Sequence, residues 1–188
     1  MEESNRDRIL QAATQLFGEH GFAGTSVRAV VEAAGVTKPT MYYYFSNKKA
    51  LFQEVIEAQL EVLRSMVDEA IHTEGTVRER LSGFITRYVQ GAIDNPAGVR
   101  LMLTVGAPAD QKKTDFNIFE HFGEEISRLS KVFETRDPKL RADVDAEIAV
   151  AVVIGAADII LINALQGQPL PQNYAERIIN LLFNGVQR

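Results

Sequence analysis

The segment at residues 25–51, TSVRAVVEAAGVTKPTMYYYFSNKKAL, constrains the fold more than any other part of the chain. It contains two short helical patterns, which are joined by a tight turn at Ala34-Gly35-Val36. The second pattern carries three consecutive tyrosines, and two lysines follow it. A short helix that combines aromatic hydroxyl groups with flanking cations suits a groove lined by phosphates. The segment therefore predicts a helix-turn-helix that reads DNA.

Apolar residues recur at three- and four-residue spacing along most of the chain, and no segment shows the alternation expected of a strand. This periodicity predicts an all-α fold. Gly21 is expected to end the first helix. Besides the two short helices, the predicted helices cover about 4–20, 47–73, 77–94, a short stretch ending near 107, 115–135, 147–165 and 172–186, with a polar loop at 108–114.

Residues that favour helix ends mark the boundaries of the two short helices. Thr25 or Ser26 can cap the N-terminus of the first helix, and Gly35 follows it at a position suited to a left-handed residue. Thr37 can cap the second helix. Pro39 falls in the first turn of that helix, where a missing N–H group has little effect.

Composition excludes several kinds of functional site. The chain has no cysteine, which removes disulfides, thiolate metal ligands and cysteine nucleophiles. Its three histidines are isolated and lack metal-ligand spacing. The common catalytic and phosphate-binding motifs are absent from the sequence. We therefore expect neither an enzyme nor a metal or cofactor, and we expect a cytoplasmic protein because no secretory signal is visible.

The charge is distributed unevenly. Residues 1–50 contain six Lys/Arg and five Asp/Glu, a net charge of +1. The remaining residues carry a net charge of −6, which gives the total of −5. DNA affinity must then come from a few well-placed cations rather than from a broadly basic surface.

The segment at 147–165, EIAVAVVIGAADIILINAL, is apolar on nearly every side. A membrane span is the alternative interpretation, but Glu147, Asp158 and Asn163 interrupt the segment and no basic flank anchors it. A helix that is apolar all round must be covered all round. In a chain of this length, we expect a second subunit to cover it.

A projection at about 100° per residue separates the faces of the tyrosine-bearing helix. Met41 and Phe45 fall together, and we expect them to pack on the two preceding helices. Pro39, Thr40 and Tyr43 point the opposite way, toward a DNA groove.

Four further side chains surround that face. Tyr42 lies on its flank, where its hydroxyl can reach a phosphate. Lys38 stands in the first turn and can reach a guanine edge or a phosphate. Arg28 is the best candidate for a bidentate contact with a base or phosphate, and Lys48 can hold a phosphate together with backbone N–H groups.

At these residues the chain resembles the TetR family of bacterial transcriptional repressors, over about its first 50 residues. The resemblance runs through the segments Ile9-Leu10-Gln11-Ala12-Ala13, Leu16-Phe17, Gly21-Phe22, Thr25-Ser26-Val27-Arg28, Ala34-Gly35-Val36, Lys38-Pro39-Thr40-Met41-Tyr42, Tyr44-Phe45 and Asn47-Lys48-Lys49-Ala50-Leu51.

The resemblance implies a helix-turn-helix DNA-binding domain at 1–47 and a helical ligand-binding and dimerisation domain at 48–188. It implies a homodimer, joined through about 146–187, that represses transcription from a palindromic operator and is released by a small, largely apolar effector. The residues that it assigns to DNA contact are Arg28, Thr37, Lys38, Pro39, Thr40, Tyr42, Tyr43 and Lys48.

An apolar effector site can be formed by the helices after the DNA-binding segment. The candidate lining residues are Leu63, Met66, Phe84, Tyr88, Met102, Phe119, Phe122 and Asp158. Because a buried carboxylate is costly without a partner, Asp158 can serve a cationic ligand, an arginine of a second subunit, or the packing of a neighbouring helix.

There are two alternatives to DNA reading: an enzyme, for which the residues supply no site, and a helical small-molecule-binding or scaffold protein that no longer binds DNA. The near-neutral N-terminal segment is compatible with the second. Gel shifts at low and high salt separate it from an operator-binding protein.

Overall fold

The structure, a computed structural model, describes residues 4–105, 114, 116–134 and 143–184. These residues form α-helices and one 3-10 helix, and they include no strand, which confirms the all-α prediction. The helices are α1 (Asn5–Gly24), α2 (Val27–Ala34), α3 (Lys38–Tyr44), α4 (Lys48–His72), α5 (Val77–Asp94), α6 (Pro96–Val105), α7 (Ile118–Ser130), the 3-10 helix (Lys131–Glu134), α8 (Ala146–Leu165) and α9 (Tyr174–Asn184).

The predicted boundaries of the two short helices are confirmed. Gly21, predicted to end the first helix, breaks the helical backbone with a φ of 68°, but α1 continues past this kink to Gly24. The Ser26 hydroxyl accepts a hydrogen bond from Ala29 N, so Ser26 rather than Thr25 caps α2. Gly35 ends that helix in the left-handed conformation, with a φ of 62°. Thr37 caps α3, and Pro39 lies in its first turn.

The predicted α-helix at 115–135 is too long: the structure shows an α-helix only over Ile118–Ser130. The helix begins at Ile118, because the side chain of Asn117 accepts a hydrogen bond from Phe119 N and donates one to Glu120. At Lys131 it tightens into the 3-10 helix. The last helix begins at Tyr174, after Asn173 in a positive-φ conformation. The predicted loop at 108–114, apart from Thr114, and residues 185–187 lie outside the described residues.

The described residues belong to two compact units. The first comprises Met1–Glu61 and Asn95–His121, and the second comprises Val62–Asp94 and Phe122–Arg188. Both α4 and α7 pass from one unit into the other. The functional boundary that the sequence predicts between residues 47 and 48 stays a prediction.

The first unit has an aromatic core beneath its short helices. Phe17 of α1 is fully buried and meets the edge of Phe52 of α4, with 4.9 Å between ring centroids. Phe22 packs against the same ring at 5.0 Å. The α6 helix packs against α1 at Gly18, where an added Cβ would stand 2.8 Å from the carbonyl oxygen of Ala97. This close approach leaves no room for a side chain.

The second unit has its own core, formed by α4, α5, α7, the 3-10 helix, α8 and α9. Its buried members include Leu81, Phe84 and Ile179. Arg80 is also buried, and its guanidinium donates to the carbonyl oxygens of Ala70 and Ile71 in the last turns of α4. These bonds satisfy carbonyls that a helix C-terminus leaves without intrahelical partners.

One face of α8 carries large apolar side chains that the single chain leaves exposed. They stand at Ile148, Val152 and Ile159, and Gly155 lies between the last two. Leu181 of α9 is exposed as well. The four α8 positions are spaced by four, three and four residues, a pattern that places them on one helix-packing stripe. By length and composition α8 could cross a membrane, and only 28% of its apolar window is buried.

Candidate functional site

The exposed face of α3 is the centre of the candidate site in the first unit. Met41 is fully buried on its opposite face, and Phe45, which follows the helix, is buried too. Both positions agree with the projection. On the outer side, Tyr43 is 83% exposed and Tyr42 is 49% exposed. The helix therefore presents phenol rings to solvent and is anchored from behind by an apolar pair.

The turn before α3 fixes the orientation of the helix. The Thr37 hydroxyl accepts a hydrogen bond from Thr40 N at 3.3 Å and lies 2.8 Å from the Thr40 hydroxyl. Lys38 and Pro39 are exposed beside this pair. Both threonine hydroxyls already take part in this cap, so a contact with DNA would use their remaining donor or acceptor positions.

Arg28 is exposed on α2 but already has an acidic partner. Its Nε atom lies 2.7 Å from Glu32 Oε1, one helical turn away. The hydrogen bond to Glu32, together with the charge of that carboxylate, raises the pKa of the guanidinium. Any contact of Arg28 with a phosphate would compete with Glu32. The four-residue spacing was a visible signal of this pair, and the sequence interpretation missed it.

Lys48 is turned toward its own domain. Its ammonium donates to the carbonyl oxygens of Phe22 at 2.7 Å and Thr25 at 2.9 Å. It also lies over the Phe22 ring, 4.2 Å from the centroid. These contacts join the start of α4 to the corner between α1 and α2. The predicted phosphate contact of Lys48 stays a prediction.

Two further residues support the site and were not anticipated. Thr25 is buried, and its hydroxyl donates to the carbonyl oxygens of Leu16 and Gly21, where α1 turns. Arg8 donates to the carbonyl of Gly35 at the tight turn. The Arg8 bond spans 27 residues and the Thr25 bond to Leu16 spans nine, so no local pattern indicated either contact.

The second unit contains a partly buried polar pair at the edge of its core. The Tyr88 hydroxyl donates to Asp158 Oδ1 at 2.7 Å, which joins α5 to α8. The ring of Phe84 stacks on Tyr88 with 5.8 Å between centroids. Burial and the nearby Asp158 carboxylate raise the pKa of Tyr88, so this phenol remains a donor. This bond joins two packed helices, and the roles of Asp158 toward a ligand or a second subunit stay predictions.

The other predicted effector residues are divided between the units. Leu63 and Met66 pack against the core of the second unit, and Phe122 is half-buried there. Met102 and Phe119 belong to the first unit, and Phe119 is largely exposed. The prediction of an apolar effector site therefore stays a prediction.

Asp158 gives a pH-dependent prediction for stability. Burial raises the pKa of its carboxyl group, an effect that the bond from Tyr88 only partly opposes. The folded chain thus holds this proton more tightly than the unfolded chain, so stability falls as pH rises through the raised pKa. We expect Asp158→Asn, which keeps an oxygen acceptor for Tyr88, to raise the Tm at pH 7 by about 2–4 °C.

Thermal unfolding measured across pH checks this expectation. The gain should vanish below the ordinary aspartate pKa, where the wild-type carboxyl group is neutral in both states. Asp94→Asn is a matched control, because Asp94 is exposed and accepts a hydrogen bond from Gln90 that asparagine can also accept. A lower Tm for Asp158→Asn at pH 7 would show that the charged form supports the fold.

Comparisons with known proteins agree with the geometry of the first unit. The profile of "Bacterial regulatory proteins, tetR family" matches residues 9–55. The chain is 23% identical over 125 residues to YezE, an uncharacterized HTH-type transcriptional regulator of Bacillus subtilis, with 66% of this chain and 64% of that protein covered. It is 40% identical over 57 residues to the HTH-type transcriptional repressor ComR of Escherichia coli, covering 30% and 27%.

The two alignments thus span less than two thirds of each relative's length. Solved structures resemble the whole chain in fold. A putative fatty acid metabolism regulator of Clostridium perfringens has a TM-score of 0.81 at 19% identity, with 96% of this chain and 99% of that chain covered. FadR from Bacillus subtilis in complex with stearoyl-CoA has a TM-score of 0.73 at 19% identity, covering 96% and 98%.

The profile match covers α2, α3 and the turn between them, together with most of α1 and the start of α4. It thus falls on the segment that presents the exposed tyrosines, and the fold of the remaining helices agrees with solved regulators. Residues 9–55 form a helix-turn-helix segment of the tetR family of bacterial regulatory proteins.

Proposed function

We propose that the protein is a repressor that binds a palindromic operator as a homodimer and is released by a small, largely apolar effector. The observation that carries the DNA-binding part is the exposed face of α3, on which Tyr42 and Tyr43 stand opposite the buried Met41. Lys38 adds an exposed cation at the start of this helix. Phenol and ammonium groups at one helix face can contact phosphates and base edges in a major groove.

The exposed apolar stripe of α8 supports the homodimer. A stripe of aliphatic side chains with helix-packing spacing is unfavourable in water, and a second copy of the same stripe would cover it through a two-fold interface. A dimer also presents two α3 helices, as a palindromic site requires. Asp158 and Asn163 within the segment argue against burial in lipid.

The effector part of the proposal rests on the core of the second unit. That core presents apolar and aromatic side chains of α4 and α5, among them Met66 and Phe84. A ligand that binds one arrangement of the dimer more tightly than another would change DNA affinity by that difference. The name of ComR and the stearoyl-CoA in FadR are consistent with repression and with an apolar ligand, respectively.

Binding to the DNA upstream of the protein's own gene tests the proposal. We expect specific binding with a steep salt dependence. Lys38→Ala should weaken binding about tenfold, since a contact with a base edge is worth about 1–3 kcal/mol. It should also reduce the preference for the operator over unrelated DNA. Fluorescence anisotropy at several salt concentrations measures both effects.

Lys131→Ala is the control, because Lys131 is an exposed lysine of the 3-10 helix in the second unit. It should leave operator affinity unchanged. If Lys38→Ala and a Tyr43→Ala variant both bind the operator as tightly as the wild type, α3 does not read this DNA and the proposal is wrong.

A second candidate is a helical ligand-binding protein that no longer binds DNA. The pairing of Arg28 with Glu32 favours it, because one of the few cations of the first unit is neutralised. Glu32→Gln distinguishes the two functions. For an operator-binding protein this variant should strengthen DNA binding, whereas a protein without DNA-binding function should stay inactive.

A further inference from the structure

A groove of about 860 Å³, lined mostly by residues with polar side chains, follows α5 in the second unit, between the C-terminal part of α4 and α9. Two arginines, two hydroxyl-bearing residues and a glycine of α5 line it, and carboxylates come from all three helices. The groove shares Ile179 with the apolar core of the second unit, and its other lining residues are polar or glycine. This lining suits a ligand of different chemistry from the proposed apolar effector.

Gly83 lies in the middle of α5 and opens onto this groove. A Cβ atom added there would have no neighbour within 4 Å. Glycine inside a helix costs about 1 kcal/mol relative to alanine, and no helix contact explains it here. Gly91 of the same helix is different, since its added Cβ would meet Met66 at 2.8 Å. No atom of the protein therefore fills the space next to Gly83.

Arg78 lines one end of the groove. Its guanidinium donates to the side-chain oxygens of Asn180 and Asn184 and lies over the ring of Phe183, 4.9 Å from its centroid. Amide and aromatic groups orient the guanidinium but do not neutralise it. Among the contacts of the described residues, Arg78 has no carboxylate partner. The groove therefore contains a positioned positive charge.

Arg87 lines the groove nine residues further along α5, about 13 Å away by the helical rise. One of its terminal nitrogens pairs with Glu69. Its Nε atom is buried and has no acceptor within the described part of the chain. A buried N–H donor without an acceptor is unfavourable, and this buried atom is not open to a ligand in the groove. The Arg87 side chain as a whole is 40% exposed and lines the groove, so its guanidinium gives the groove a second cationic point of attachment.

Two of the three carboxylates that line the groove have partners within the protein, and the third restricts how much negative charge a ligand can carry. Glu69 is paired with Arg87, and Glu79 accepts hydrogen bonds from the backbone and hydroxyl of Thr76, which lower the pKa of Glu79. Glu176 stands in the first turn of α9. Its negative charge opposes densely charged polyanions, so the groove favours a small ligand with one or two anionic groups.

We propose that this groove binds a small metabolite bearing an oxyanion, either a carboxylate or a phosphate group. The guanidinium groups of Arg78 and Arg87 attract the anion, and the body of the ligand occupies the space above Gly83. The Ser82 hydroxyl also lines the groove and can bond to a hydroxylated ligand.

Isothermal titration calorimetry of the full chain without DNA tests this site. The probes are inorganic phosphate and glutarate, each compared with sodium chloride at the same ionic strength. We expect saturable binding of at least one probe, and the two arms distinguish a phosphate ligand from a carboxylate ligand. Gly83→Leu should fill the space and weaken binding at least about tenfold.

Arg87→Lys is the sharpest variant, because it keeps a cation for Glu69 and removes the planar guanidinium from the groove. It should also weaken binding at least about tenfold. Gly123→Leu is the control, since an added Cβ at Gly123 of α7 meets nothing within 4 Å and this residue is outside the groove. That variant should bind like the wild type.

Two outcomes would overturn the inference. One is the absence of saturable binding of both probes, and the other is equal binding by the wild type, Gly83→Leu and Arg87→Lys. Operator binding is measured on the same samples. Intact operator binding without anion binding would reject only the groove, whereas anion binding without operator binding would reject only the proposed repressor function.

Discussion

We expect Ile159→Arg to produce folded monomers that bind a palindromic operator at least about 100-fold more weakly than the wild type. Ile159 is 61% exposed on α8, so arginine meets no packed neighbour within the single chain. In a dimer, the substitution would place two guanidinium groups in an apolar interface without partners, which is strongly unfavourable. Loss of linkage between two DNA-binding modules removes about 10²–10⁴ in avidity.

Sedimentation velocity and operator binding measure the two effects together. Leu103→Arg is the matched control, because Leu103 is another largely exposed apolar side chain but lies on α6, outside the α8 stripe. It should leave both the oligomeric state and the affinity unchanged. Gly155→Leu provides a second variant on the stripe, where the single chain leaves the space above the glycine open.

The circular dichroism spectrum and Tm of the monomeric variants show whether each chain is folded. If Ile159→Arg and Gly155→Leu both remain dimeric, the exposed stripe is not the dimer interface. If they become monomeric and still bind the operator with wild-type affinity, the DNA-binding unit does not require a dimer. Either result contradicts the proposed mode of operator binding.

The second large effect is expected from Phe17→Ala in the first unit. Phe17 is fully buried between Phe22 and Phe52, with its ring meeting the Phe52 edge. Truncating a buried phenylalanine costs about 3–5 kcal/mol, because apolar contacts are lost and a cavity remains. That loss is a large fraction of the about 5–15 kcal/mol that stabilises a typical domain. We expect operator binding to be lost near physiological temperature.

Urea unfolding and a temperature series of DNA binding check this expectation. Phe119→Ala is the control in the same unit, because Phe119 is 60% exposed. Its free energy of unfolding should stay within about 0.5 kcal/mol of the wild type, as for most surface substitutions. A similar result for Phe17→Ala would mean that the aromatic cluster does not support the DNA-binding helices.

The boundaries of the short helices were predictable because local chemistry determines them. Ser26 and Thr37 accept hydrogen bonds from N–H groups three residues later, and Gly35 adopts the left-handed conformation that follows many helices. The burial of Met41 and Phe45 followed from a helical projection alone. These features depend on residues within one or two turns, so one sequence is enough to infer them.

Contacts between distant residues were not predictable in the same way. Lys48 bonds to the carbonyls of Phe22 and Thr25, and no periodicity indicates which way a lysine side chain turns. The partner of Asp158 is Tyr88, which is 70 residues away. The shortened α7 depends on a side-chain cap from Asn117 that competes with the helix pattern before it. Tertiary geometry decides each of these cases.

The contact at Gly18 has a mechanical consequence. An added Cβ there would also lie 3.2 Å from the backbone nitrogen of Leu101, so two backbones meet without an intervening side chain. Backbone atoms at this spacing cannot slide past one another as flexible side chains can. Displacement of α6 should therefore move α1 with it. Since α1 is the first helix of the DNA-binding segment, a movement of α6 would be passed directly to that segment.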